Sequence, residues 1–192
     1  MKKKLLLIVL ALLTAASTAA CSGGSSDNND TADTSPQVST SVSTSDEKEP
    51  ESEYYFKDNV LVSADVKIEI TDWKVIPVGE TGNEYGESPV IAFWYNTTNL
   101  SGNENVTPMG SWIAMFTAIQ DNDPNQVNEL NVGLLPDDAF LDSQMEVIKK
   151  DGTAPCAIAY DLDDTTTPVI LRATRGFGGE NLGEQTFDIV TE

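Results

Sequence analysis

Histidine is absent from the chain. With it goes the commonest general base at neutral pH, the commonest metal ligand, and every Ser-His or Cys-His nucleophile pair. Cysteine is nearly absent too, occurring only as Cys21 and Cys156. Basic residues are scarce: 11 Lys and Arg stand against 31 Asp and Glu, a formal charge of −20. Phosphate binding needs Lys and Arg, so this balance argues against nucleic acid and against direct adsorption to anionic lipid. It suits a soluble outer-layer protein or a cationic partner. What remains is enough for one ordinary domain: 192 residues, 40% of them hydrophobic.

The first residues read as an address. Lys2, Lys3 and Lys4 form a positive segment, and Leu5 to Leu13 follows as an unbroken apolar run of about nine residues. That length fits a signal peptide and falls well short of the roughly 20 residues needed to span a bilayer. Small residues lead through Thr18, Ala19 and Ala20 to Cys21. This stretch resembles a lipobox, with Thr18 standing where Leu is usual. The resemblance implies that residues 1–20 are removed and that Cys21 receives a diacylglyceryl group and becomes the mature N-terminus. Two acyl chains anchor firmly where one binds only marginally. Ordinary cleavage after Ala20, with Cys21 a bystander, is the alternative. With Cys21 lipidated, no intrachain disulfide can form.

From Cys21 to Glu53 the chain is Ser, Thr, Asp, Asn, Gly and Glu with almost no large apolar residue. Such a segment buries too little surface to offset ordering entropy, which predicts a disordered tether. The acidic run Asp46 to Glu53 favours extension. For about 32 residues the reach is roughly 30 Å.

The third segment, 54–192, carries short β-like runs separated by turn residues. Val60 to Val62 reads as a first strand. Val66, Ile68 and Ile70 alternate with polar residues, then the phase slips to Trp73 and Val75, which predicts a bulge near Thr71-Asp72. Val90 to Tyr95 is apolar on both faces, as a central strand would be. Trp112 to Ile119 is a second continuous apolar run; its length and its Trp, Ile and Phe content favour strand over helix. Ile158, Tyr160 and Leu162 alternate, as do Val169, Leu171 and Ala173, and Phe187 and Ile189 close the series. A hairpin loop is expected at the glycines between Ala173 and Phe187. Asp123, followed by Pro124 and Gln126, reads as a helix start with Val127, Leu130 and Leu134 on one face. Pro136 to Leu141 reads as a second short turn. The prediction is an all-β sandwich of about seven or eight strands with short helical inserts.

Three stretches carry a resemblance: VKIEITDWKVIPVGETGNEYGESPVIAFWYNTTNLSG from Val66, FTAIQDNDPNQVNELNVG from Phe116, and IKKDGTAPCAIAYDLDD from Ile148. They resemble domain-of-unknown-function family 5067 (DUF5067), uncharacterised lipoproteins of Gram-positive bacteria, mostly Firmicutes. An Asn/Thr-rich turn follows a strand at Asn96 to Gly102, and a Lys-x-Gly-Thr turn at Lys150 leads towards Tyr160. The resemblance implies an immunoglobulin-like β-sandwich and brings no activity and no site. Fold does not imply function.

Several residues invite sharper readings. Asp121, Asp123 and Asn125 place oxygen ligands at alternate positions, as a calcium loop does. Gln126 stands where an EF-hand needs Gly, and Val132 where it needs Glu, so solvated turns with helix caps are the competing reading. Asp137-Asp138 and Asp161, Asp163 and Asp164 are further carboxylate clusters. Cys156 has no histidine to activate it and reads as a small apolar residue. Trp73, Trp94 and Trp112 read as core, with an exposed platform for sugars as the alternative. The expected function is that of a non-enzymatic binding or interaction module, lipid-anchored to the membrane and facing outward. Its partner would be an extracellular protein, a glycan or a cell-wall polymer. The alternatives are an Asp/Glu-dependent surface hydrolase and a calcium-stabilised structural module.

Overall fold

A computed structural model describes residues 53–189. The segments expected to be signal peptide and tether, up to residue 52 and including Cys21, lie outside the described residues. Two antiparallel sheets face each other, as the sequence predicts. The first has five strands in the order β1 (Tyr55–Lys57), β2 (Val60–Val62), β3 (Val66–Ile76), β4 (Val90–Asn99) and β7 (Thr153–Asp161). The second runs β6 (Asn128–Glu129), β5 (Phe116–Gln120), β8 (Val169–Thr174), β9 (Asn181–Phe187). There are thus nine described strands, two more than the lower expectation. The additions are short: β1, which makes Val60–Val62 the second strand, and the two-residue β6.

Period-two alternation dictates which side chains meet between the sheets. On β3, Val66, Ile68 and Ile70 face inward. The pairing of β3 with β4 slips between Ile70 and Asp72, and this bulge turns Trp73 and Val75 towards the same core. Trp73 meets Phe187 edge-on at 5.3 Å. Inward residues of β4 pack with Trp112, whose ring centroid lies 4.3 Å from that of Tyr95, 4.5 Å from Phe116 and 5.5 Å from Phe93. The Trp112 indole N–H donates to the Tyr160 hydroxyl at 2.9 Å, so this large ring is buried with its polar atom satisfied.

Two local expectations fail. Trp112 to Met115 is not strand but the last half of a helix, α1 (Pro108–Met115); only from Phe116 does the run become β5. The start is written in Thr107-Pro108: the Thr107 hydroxyl accepts from the Gly110 N–H, and Pro108 takes the first position, where its missing N–H costs nothing. Conversely, no helix follows Asp123-Pro124. Asp123 instead accepts from the Asn125 backbone N–H at 2.7 Å, closing a local turn, and the chain goes straight into β6. The turn expected at Pro136 to Leu141 is present as a single 3-10 turn, Asp138–Phe140, capped by Asp137.

The segment that forgoes helix closes the sandwich. Asn128 and Glu129 pair with β5, and the Leu130 N–H donates to the Ala118 carbonyl. Three residues on, Asn131 accepts from the Asp161 N–H and Gly133 donates to the Ala159 carbonyl, both on β7. One extended stretch therefore staples the open edges of both sheets. On the opposite side β1 lies against β9. Gly183, at φ +137°, lets the Phe56 carbonyl approach so closely that a Cβ there would sit 2.3 Å from its oxygen. The Asn59 N–H donates to Gln185 Oε1 at 2.9 Å across the same seam.

Among the described residues no strand pairs with the first half of β7 on the side away from β4. The odd-numbered residues of β7 direct their backbone groups away from β4, as the bonds at Ala159 and Asp161 show. Pro155 falls in that series and offers no N–H to a neighbouring strand.

Candidate functional site

Register fixes two ends of the sandwich. The described chain begins at the near end, where Tyr55 pairs with Val62, Val62 with Lys67, Lys67 with Thr98 and Thr98 with Thr153. The β8–β9 hairpin belongs there too, because the Arg175 guanidinium lies 4.6 Å from the centre of the Tyr54 ring. The far end carries the β3–β4 loop, the loop after β5 and the loop between β7 and β8, whose roots meet where Val90 pairs with Asp161 and Gln120 with Val169.

Charge is distributed unevenly between these ends. The β3–β4 loop carries Glu80, Glu84 and Glu87; the loop after β5 carries Asp121 and Asp123; the β7–β8 loop carries Asp163 and Asp164. Of the described basic residues, Lys74 alone lies on the far half, paired with Ala92. Lys67, Lys149, Lys150 and Arg175 sit at the near end.

The far-end loops are held by polar side chains rather than by apolar packing. Gln120, with no accessible surface, directs its amide into the β7–β8 loop. Its Nε2 donates to the carbonyls of Asp164 (3.0 Å) and Thr167 (2.8 Å), and its Oε1 accepts from the N–H groups of Asp163 (2.7 Å) and Asp164 (3.2 Å). Asp164 then accepts the N–H groups of Thr166 and Thr167 and an amide hydrogen of Asn122. These donors, the Thr167 N–H foremost, hold its carboxyl far below the usual carboxylate range. In the β3–β4 loop the buried Asn83 does similar work, donating to the carbonyls of Ile76 (3.1 Å) and Ser88 (2.9 Å). Beyond it Tyr85 is 87% exposed, an aromatic ring on a braced loop.

Two hollows open among these loops. One, of about 620 Å³, is lined by Asn122, Asp123, Gln126, Val127, Asn128, Glu129, Asp163 and Asp164. The other, of about 350 Å³, lies on the outer face of the five-stranded sheet over Trp94 and is lined also by Lys74, Glu84, Pro136, Asp137 and Asp138.

The sequence-predicted residues fall as follows. Asp121, Asp123 and Asn125 share one loop, with Asp121 and Asn125 exposed. Asp123 is occupied by the Asn125 N–H, which lowers its pKa, and Asn125 turns its amide nitrogen, 3.4 Å away, towards the same oxygen. Among the described residues no group of three or more Asp, Glu, Cys or His is gathered as metal ligands. Cys156 is a free thiol buried beside Tyr95, and burial pushes its pKa up. The tryptophans divide: Trp112 is fully buried, Trp73 is half-buried against the core, and Trp94 stands half-buried on the outer face. Its indole N–H donates to Asp137 Oδ2 at 3.0 Å. Sequence reasoning missed the scaffolding roles of Gln120 and Asn83, since a lone amide in a strand or loop carries no spacing pattern. It could have separated Trp94 from its neighbours, because Ile91, Phe93 and Tyr95 occupy the opposite parity of one strand.

Residues 40–175 match domain-of-unknown-function family 5067. The chain belongs to DUF5067. The match takes in β1 to β8 and stops before β9. No curated protein matches the chain. Among solved structures, the fold is similar to that of a candidate lipoprotein from Staphylococcus aureus subsp. aureus NCTC 8325. The TM-score is 0.60 at 20% sequence identity, covering 71% of this chain and 92% of that one. At that identity the likeness establishes a shared sandwich fold. Within DUF5067, then, this chain is an all-β member whose described helices include none long and apolar enough to cross a membrane.

Proposed function

We propose that this DUF5067 chain is a lipid-anchored surface protein and that its sandwich is a non-enzymatic binding module presenting its far end to a partner. The anchor is the diacylglyceryl group on Cys21, and the acidic segment to Glu53 is the spacer. The observation that carries the reading is the polarity of the domain. The described chain begins at the near end, while the braced acidic loops lie at the other. A module tethered by its N-terminus needs that arrangement to reach outward. A raised thiol pKa at Cys156 and carboxylates already engaged by backbone donors at Asp123 and Asp164 support binding over catalysis. The S. aureus likeness supports the surface setting only through what that protein is described as being.

Crosslinking on intact cells tests the reading. The full chain should capture an extracellular partner, and a Cys21→Ala chain should leave the membrane fraction and capture less. Mass spectrometry of the mature protein should find Cys21 diacylated. A free Cys21 thiol, or a native protein recovered from the cytosol, defeats the proposal.

A further inference from the structure

The hollow over Trp94 contains a cation of the chain's own. The Lys74 ammonium nitrogen lies 5.3 Å from the centre of the Trp94 ring, within the range in which an aromatic face attracts a positive charge. The ring cannot swing away, because its N–H is bonded to Asp137, and Asp137 is itself fixed by accepting the Ala139 N–H at 3.0 Å. The walls are equally set. Gly82 approaches the Pro136 carbonyl so closely that a Cβ would lie 2.5 Å from its oxygen, and the Gly82 N–H donates to Glu84. The rim carboxylate of Asp138 is exposed, and its side chain has no hydrogen bond or ion pair among the described residues. Lys74, meanwhile, makes no ion pair there: its ammonium is held by the ring face alone.

We propose that this groove is a receptor for the ammonium end of a lysine side chain on a basic polypeptide, and that Lys74 fills it when no partner is bound. The inference rests on the binding-module reading and names the partner chemistry. Three features select the ligand. A volume of about 350 Å³ admits one long side chain, not a folded domain. An indole floor favours a cation with an alkyl stem over a strongly hydrated metal ion. A neutral sugar would have to displace Lys74 without replacing its charge. The partner is a polypeptide with several basic residues because the loops of the same end also carry Glu80, Glu87 and Asp163. One ammonium would leave that surface uncompensated.

The test uses the full chain with a pentalysine peptide and its fully Nε-acetylated counterpart. Calorimetry should show binding of pentalysine and at least about tenfold weaker binding of the acetylated peptide, which keeps the stem and loses the charge. Lys74→Ala should tighten pentalysine binding about two- to fivefold by vacating the ring. Lys149→Ala, which removes the same charge at the near end, should change it far less. In proton–nitrogen spectra the Trp94 indole resonance should move on titration while that of buried Trp112 stays fixed. This readout does not depend on any variant folding. Equal binding of the acetylated peptide, equal effects of the two alanine variants, or a static Trp94 resonance under saturating pentalysine would each overturn the groove and leave the binding module standing. Absence of pentalysine binding to either wild type or Lys74→Ala overturns the groove as well. The module itself fails only if surface crosslinking also returns nothing.

Discussion

At the scale of single residues, two polar side chains show how the far end keeps its shape. Gln120 is sealed from water, yet its amide makes four hydrogen bonds to the β7–β8 loop. Gln120→Leu would preserve volume while stranding two carbonyls and two N–H groups, some of them buried. The expected loss is about 2–4 kcal/mol, read as a lower midpoint in urea. Asp164 contributes through its charge. Its folded-state pKa lies below the ordinary value of 3.8, so its stabilisation is fully present above that value and is lost as pH falls through the folded pKa. Melting curves should show wild type more stable than Asp164→Asn at neutral pH, with the gap narrowing as the pH drops below about 4. Were the gap constant down to strongly acidic pH, the depressed carboxyl would not be the cause. The carboxylates were visible in the sequence as a cluster. That their oxygens point inward, onto the backbone of their own loop, was not, because hydrogen-bond direction depends on turns that composition does not specify.

At the scale of elements, the seams between the sheets decide the architecture. Gly183 is the closest approach. Gly183→Ala combines an unfavourable φ of +137° with a Cβ 2.3 Å from the Phe56 oxygen, so β1 must move off β9. A destabilisation of about 2 kcal/mol or more is expected, with faster amide exchange confined first to β1 and β2. Gly176 is the control: its φ is +70° but no atom stands within 4 Å of an added Cβ, so Gly176→Ala should cost about 1 kcal/mol and leave β1 protected. Strands were the legible elements, since β3 and β8 alternate and the bulge showed as a slip of phase. Helices were not. Thr107-Pro108 and Asp123-Pro124 offer the same local start, and only the first leads to a helix. The difference is tertiary. The first segment has Trp112 to bury between the sheets, whereas the second satisfies the edges of β5 and β7 with its own backbone.

At the scale of the molecule, the domain is electrically lopsided. Its positive side chains cluster near the point where the described chain begins, and its far loops are almost wholly negative. A field of that form steers cations towards one end and is screened by salt. Association of pentalysine should therefore slow by about tenfold or more between low and physiological ionic strength, with dissociation changing much less; stopped-flow measurement separates the two rates. The low count of Lys and Arg foretold the sign of the charge. Its segregation required the register. Pro155 carries a different consequence. Under the proposed anchoring, copies of the chain would meet in two dimensions at high local density, where unpaired strand margins can zip together side by side. A pyrrolidine ring in the first half of β7 denies a strand laid against that margin one backbone bond, which disfavours growth of a ribbon there.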